Sequence, residues 1–142
     1  MSEEQYPRVY LYRRLVQAKL FIDDHYAEQI DLDNISDEAY FSKFHFIRLF
    51  KKIYGRTPHQ YQVYLRIEKA KELLKADHAV SETCYAVGFE SLGSFSGLFK
   101  RITGSTPSAF LTHQQQMKAE LNRSPLSFIP GCFAARNGWL EK

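Results

Sequence analysis

Residues 42–58 read Ser-Lys-Phe-His-Phe-Ile-Arg-Leu-Phe-Lys-Lys-Ile-Tyr-Gly-Arg-Thr-Pro, and residues 91–107 read Ser-Leu-Gly-Ser-Phe-Ser-Gly-Leu-Phe-Lys-Arg-Ile-Thr-Gly-Ser-Thr-Pro. Ser, Phe, Leu, Phe, Lys, Ile, Gly, Thr and Pro coincide in register, and Lys52 matches Arg101. Such a repeat points to a duplicated structural unit. Each copy has the marks of a capped helix. Ser42 and Ser91 are good N-caps, able to accept a hydrogen bond from an orphan amide of the first turn. Phe46, Leu49, Phe50 and Ile53 fall at i, i+3, i+4 and i+7, and Phe95, Leu98, Phe99 and Ile102 repeat them, so each copy predicts one apolar stripe on a core. Gly55 and Gly104 then end the helix. Thr57-Pro58 and Thr106-Pro107 supply the cap and first position of the next one.

Working outward, a short amphipathic segment precedes each copy. Leu32, Ile35, Ser36 and Ala39 share one side of the first, and Val80, Thr83, Cys84 and Val87 share one side of the second. Small residues at Ser36 and Cys84 let a second helix cross closely. Tyr40-Phe41 and Gly88-Phe89-Glu90 are the intervening turns, and Tyr40 would be strained if its turn needed the positive φ that suits Gly88. Short helix, tight turn and capped helix form the helix-turn-helix pattern. The expected fold is therefore all-α, with two helix-turn-helix subdomains joined by a long linking helix. Expected boundaries are 1–57 for the first subdomain, 58–76 for the linking helix, 77–117 for the second subdomain and 118–142 for an apolar tail. An N-terminal helix from Tyr10 to about Tyr26 should bury Leu15, Val16, Leu20 and Ile22 or their neighbours. The linking helix should turn Tyr61, Leu65, Ala70, Leu73 and Leu74 to the cores.

The 142 residues suffice for one domain or two small subdomains, and 44% hydrophobic content suffices for a packed core. No apolar run is long enough to cross a membrane, and the polar N-terminus lacks a signal-peptide core, so a cytoplasmic protein is expected. Cys84 and Cys132 are too few and too far apart for a disulfide framework or a metal site, and read as buried thiols. The net charge of +3 hides a segregation. Asp23, Asp24, Glu28, Asp31, Asp33, Asp37 and Glu38 fall in a stretch without Lys or Arg, and Lys43, Arg48, Lys51, Lys52 and Arg56 follow in a stretch without acids. That contrast suits a basic face aimed at a polyanion, or an ordinary solvated helix. A linking helix over 58–76 would span roughly 28 Å at ~1.5 Å per residue. That reach is compatible with two helices in successive major grooves of DNA, roughly 34 Å apart.

The chain resembles the AraC/XylS family of bacterial transcription regulators from about Leu15 to Phe110. The most specific part is Ala86-Val87-Gly88-Phe89-Glu90-Ser91, then Phe95, Phe99-Lys100, Gly104 and Pro107. The first unit agrees through Ser42, His45-Phe46, Arg48, Phe50-Lys51, Gly55, Thr57-Pro58 and Tyr61, followed by Arg66, Ala70 and Leu73-Leu74. The resemblance implies an all-helical domain of about seven helices and control of transcription. Only a few residues precede the first expected helix, so the expectation is a short, stand-alone member that binds an asymmetric site as a monomer.

On this resemblance the base-reading positions of the first copy fall on Phe44, Ile47 and Arg48. An arginine there can bond guanine O6 and N7 together. Phe44 and Ile47 are suited to thymine methyl groups, or else to packing against another part of the protein. In the second copy the outward stripe is Leu92, Gly93, Ser96 and Gly97, where Gly97 replaces the long polar side chain of many relatives. Direct readout is therefore expected to be weak, and glycine inside a helix costs about 1 kcal/mol against alanine. Ser42, Lys43 and Lys51 in the first copy, and Ser91 and Lys100 in the second, are the expected phosphate contacts, which position without reading sequence. His45 reads as structural.

The expected partners are double-stranded DNA and RNA polymerase; no membrane, cofactor or metal is expected. No phosphate loop, HExxH, Ser/His/Asp arrangement or paired carboxylates support an enzyme. The competing reading is a helical protein-interaction adaptor on the same scaffold, which would not need Lys43, Arg48 and Lys51 clear of acids. The tail carries Leu126, Phe128, Ile129, Phe133, Trp139 and Leu140, and is expected to dock on the domain rather than to serve a dimer or polymerase contact.

Overall fold

The computed structural model describes residues 5–31, 43–125, 129–130 and 136. Among these residues lie six helices and no strand: α1 (Gln5–His25), α2 (Lys43–Tyr54), α3 (Pro58–Lys75), α4 (Val80–Ala86), α5 (Leu92–Thr103) and α6 (Pro107–Arg123). The fold is all-α, as the sequence predicts. The short helix expected near 32–39, the turn at Tyr40, the Ser42 cap and most of the tail beyond Pro125 (Cys132 included) lie outside the described residues.

Local chemistry sets the helix ends. Thr57 Oγ1 accepts from the Gln60 amide at 3.2 Å while Gln60 Oε1 accepts from the Thr57 amide at 3.0 Å, with Pro58 at the first helical position of α3. This reciprocal capping box satisfies two orphan donors at once. Thr106 Oγ1 and Ser91 Oγ accept from the amides of Ala109 and Ser94, both at 3.2 Å, and so cap α6 and α5. Gly55 and Gly104 close α2 and α5 at φ 79° and 91°.

Two apolar clusters share α3. Leu15, Ala18 and Ile22 of α1 and Phe46 and Phe50 of α2 form the first, with Tyr61 and Leu65 packed on it. Ile67, Ala70 and Leu74 of α3 join Cys84, Val87, Phe89, Phe95 and Phe99 in the second. The rings of Phe46 and Phe50 are tilted, with centroids 6.3 Å apart, and those of Phe95 and Phe99 meet edge to face at 5.7 Å. Cys84 is buried with its Sγ 3.5 Å from the Ser91 carbonyl, and burial pushes its thiol pKa up. It acts as a small apolar residue where α4 crosses α5.

Two expectations about burial are corrected. Ile53 and Ile102 are 44% and 45% exposed, because the last turn of α2 and α5 leaves the core. The next residue takes over: Tyr54 packs on Phe50 at 4.7 Å, and Thr103 bonds the Phe99 carbonyl at 2.8 Å. On α1, Val16 and Leu20 are exposed while Ala18 is buried. Leu11, Leu15, Ala18 and Ile22 make the inner stripe at i, i+4, i+7 and i+11. Val9, Tyr12, Val16 and Leu20 form a second, outer apolar stripe, so periodicity alone favoured neither.

A junction ties the two clusters together. Gln62 Nε2 donates to the carbonyls of Tyr26 and Glu28 at 3.2 and 3.0 Å. One turn later Arg66 donates to the same two carbonyls, through Nε at 2.7 Å and Nη2 at 3.0 Å, and its guanidinium lies over the Phe89 ring. Burial holds the Arg66 pKa below the usual guanidinium value, against the opposing charge of Glu90. Between the two bonded carbonyls, the Ala27 backbone meets the turn that follows α4. There the Gly88 amide bonds the Tyr85 carbonyl and the Phe89 amide bonds the Cys84 carbonyl, both at 3.1 Å, which is the Schellman closure of a helix. Gly88 has φ 98°, and a Cβ placed on it would stand 2.3 Å from the Ala27 oxygen. Only glycine fits both the dihedral and the space.

The contrast between two glycines is testable by chemical denaturation. Gly88→Ala should destabilise the chain by at least about 2 kcal/mol, from a strained φ plus a backbone clash. Gly97→Ala, in the middle of α5 with nothing within 4 Å of a Cβ, should stabilise it by up to about 1 kcal/mol. Tyr61 gives a pH test. Its hydroxyl donates to the Asp23 carboxylate, which Lys19 also pairs at 2.6 Å. Burial first, then Asp23, raises its pKa from 10.0 to about 12. Since the folded-state value is raised, the stability held by the neutral hydroxyl is complete below pH 10 and lost as pH rises toward 12. Tyr61→Phe should cost about 1–2 kcal/mol at neutral pH and flatten that alkaline loss, followed by denaturation across the window.

Candidate nucleic-acid interface

The two repeat helices have the same length, 12 residues each, and their exposure repeats position by position. Phe46 and Phe50, like Phe95 and Phe99, point inward; Ile47 and Leu49, like Ser96 and Leu98, are half-buried; every other position up to Ile53 and Ile102 is exposed. The same backbone surface is thus presented twice, dressed with different side chains.

On α2 the outward surface is basic and aromatic. Lys43, Phe44, Arg48 and Lys51 are exposed, and Lys52 lies beside them. Phe44 is 75% exposed, so the alternative in which its ring packs on the protein does not hold among the described residues. Leaving an aromatic ring in water is unfavourable for an isolated chain, and a contact made by a partner would offset it. Ile47 is half-buried at the flank of the stripe, which leaves only its edge available. Arg48 stands exposed one turn after Phe44 and makes no ion pair among the described residues. Ser42 lies outside the described residues.

On α5 the stripe is nearly bare. Leu92 is 42% exposed, Gly93 and Gly97 are exposed with open space where a Cβ would stand, and Ser96 is half-buried. Lys100 is exposed one turn beyond Gly97, with Arg101 beside it. Ser91 is committed to its helix: its oxygen accepts the Ser94 amide, and its hydroxyl donates to Ser94 Oγ at 2.9 Å. The stripe therefore offers backbone and one apolar side chain along most of its length, and positive charge only at its C-terminal end.

Two basic residues outside the expected set also matter to this surface. Arg56 and Arg101 flank the cleft between α3 and α5, the guanidinium of Arg56 stacked 3.8 Å from the Tyr64 ring centroid. Arg101 was visible as the counterpart of Lys52, yet its direction along α5 is set by the placement of α3. Arg66 faces the junction instead, since its partners are main-chain carbonyls that no side-chain motif announces.

The second copy is a complete helix-turn-helix, α4, the Gly88 turn and α5, and α2 repeats its outward helix against the shared connecting helix. Residues 35–113 match the model of a family described as a helix-turn-helix domain. The chain belongs to the AraC/XylS family of helix-turn-helix domains. It is 35% identical over 97 residues to the MmsAB operon regulatory protein of Pseudomonas aeruginosa, covering 68% of this chain and 32% of that protein. Among solved structures it is similar to the DNA-binding domain of AdpA, a global transcriptional factor crystallised with a target DNA, at 30% identity and a TM-score of 0.64. That match covers 78% of this chain and 96% of the AdpA domain. A transcriptional regulator of AraC-type from Chromobacterium violaceum matches at 25% identity and a TM-score of 0.63, over 74% of this chain and 95% of that one. The chain spans 32% to 43% of the length of three curated relatives it matches. No helix among the described residues is long and apolar enough to cross a membrane.

Proposed function

We propose that the chain binds double-stranded DNA sequence-specifically and regulates transcription, with α2 and α5 in successive major grooves and α2 carrying most of the base readout. The observation that supports this reading is the repeated exposure of α2 and α5, with Phe44, Arg48 and Lys51 on the outward face of the first copy. The AdpA domain, which matches over most of the chain, was crystallised on DNA. The connecting helix α3 has 18 residues, roughly 27 Å at ~1.5 Å per residue, commensurate with the spacing of adjacent grooves.

The roles differ between the copies. Arg48 bonds a guanine edge, with Phe44 and the edge of Ile47 against neighbouring thymine methyls. Lys43 and Lys51 meet phosphates. Leu92, Gly93, Ser96 and Gly97 place α5 close to the groove floor with little to discriminate bases, while Ser91 and Lys100 lie toward the backbone. Two reading helices in one chain suit an asymmetric site bound by a monomer in the cytoplasm, and RNA polymerase is the partner through which a regulator acts.

Binding titrations on a duplex obtained by in vitro selection, repeated across salt concentrations, test the assignment. Arg48→Ala should cost about 1–3 kcal/mol of specific binding and relax one position of the site. Lys51→Ala should weaken all sequences alike and reduce the salt slope by about one. If neither substitution alters affinity, the recognition face is misassigned.

A further inference from the structure

An open cleft of about 1010 Å³ lies between the N-terminal half of α3 and the flank of α5. Its volume is at the upper end of the range for small-molecule sites. Val63, Phe89, Leu98 and Ile102 give it apolar walls, and none of the described residues lining it is acidic. Arg56 and Arg101 supply its charge. Neither makes an ion pair among the described residues. The guanidinium carbon of Arg56 lies 3.8 Å from the Tyr64 ring centroid, a contact that anchors the side chain at the cleft, and an arginine fork suits a planar acceptor. The room along α5 comes from Gly93 and Gly97, where nothing stands within 4 Å of a would-be Cβ. Ile102, exposed against the prediction of its repeat position, is a wall of this cleft.

We infer that this cleft binds a small amphipathic carboxylate, its apolar body against Val63, Leu98 and Ile102 and its carboxylate on Arg56 and Arg101. A phosphodiester alone would match the two arginines but leave the apolar walls unused. An uncharged hydrocarbon would use the walls and leave two cations beside it. A molecule with both parts complements the whole lining, and a carboxylate is a planar acceptor whose two oxygens match the arginine fork. Gly93 and Gly97 also lie on the α5 stripe given above to DNA. Resting on that reading, an occupied cleft carries negative charge to the DNA face and weakens DNA binding.

The test uses the full chain, isotope-labelled and free of DNA, titrated with naphthoate and, in parallel, with the uncharged naphthamide. Naphthoate should give saturable amide shifts centred on Tyr64, Gly93, Gly97 and Arg101, and naphthamide should bind at least about tenfold more weakly. Arg56→Gln and Arg101→Gln should each weaken naphthoate binding, and Gly97→Leu, which places a side chain in the open space, should abolish it while the remaining spectrum stays folded. Equal binding of the two probes, shifts centred elsewhere, or indifference to Gly97→Leu would overturn the proposal. A final arm adds a selected duplex, and saturating naphthoate should lower its affinity at least about fivefold. An undiminished affinity would refute the coupling. If naphthoate fails to bind while both arginine variants lose affinity for every duplex alike, the cleft belongs to the DNA backbone and the inference is wrong. A chain that binds naphthoate but no duplex would overturn the proposed function and leave the carboxylate site standing.

Discussion

The carbonyl oxygens of Tyr26 and Glu28 are held by Gln62 and Arg66, while the backbone between them rests on Gly88. These contacts join three elements: the exit of α1, the middle of α3 and the turn before α5. Gln62 and Arg66 are one turn apart, so a single face of α3 grips both oxygens, and a slip of the helix would leave the buried Gln62 amide without its partners. A buried polar group left unpaired costs about 1–3 kcal/mol, so Gln62 sets the register of the junction, and the part-buried Arg66 bonds add to it. Because the second copy's turn touches the segment that follows α1, the two units are fixed to each other as well as to their connecting helix. The proposed reading of two grooves depends on that fixity.

Against this shared frame the two outward faces have diverged. Core positions repeat as phenylalanine pairs, and each repeat helix ends on a glycine in the left-handed region followed two residues later by the Thr-Pro start of the next helix. The exposed positions of the first two turns differ: Phe44 corresponds to Gly93 and Arg48 to Gly97, whereas the last turn keeps Lys51 as Lys100 and Ile53 as Ile102. Packing constrains the inner stripe in both copies alike, whereas the outer stripe answers only to what lies outside the chain. The bareness of α5 has two consequences that follow from one cause. It leaves little to read bases, and it opens the cleft whose other wall is α3.

How much of this was legible in the sequence differs by element. The repeat helices, the Ser91 cap and the Thr-Pro starts of α3 and α6 were readable because capping and termination are local chemistry, carried by residues such as Thr57, Ser91 and Gly104. The inner face of α1 was not, because Val16 and Leu20 are as apolar as Leu15 and Ile22 and only packing decides between the stripes. The exposure of Ile53 and Ile102 depends on where α3 leaves each core, a tertiary fact. The outward stripe of α2 was legible by subtraction from the core stripe, and Arg48 with it. Gln62 and the places taken by Arg66, Arg56 and Arg101 were not, since their partners or neighbours are distant in sequence and partly main chain.

The account stands on the claim that the two reading helices are rigidly spaced, and the most direct test is to lengthen the DNA between their half-sites. Inserting about five base pairs rotates one half-site by roughly half a turn, given about 10–10.5 base pairs per turn. Affinity should then fall at least about tenfold, to that of the α2 half-site alone, with smaller losses for shorter insertions. Affinity within about twofold of the parent duplex at every insertion would mean that the units move independently, and would contradict the role given to the junction.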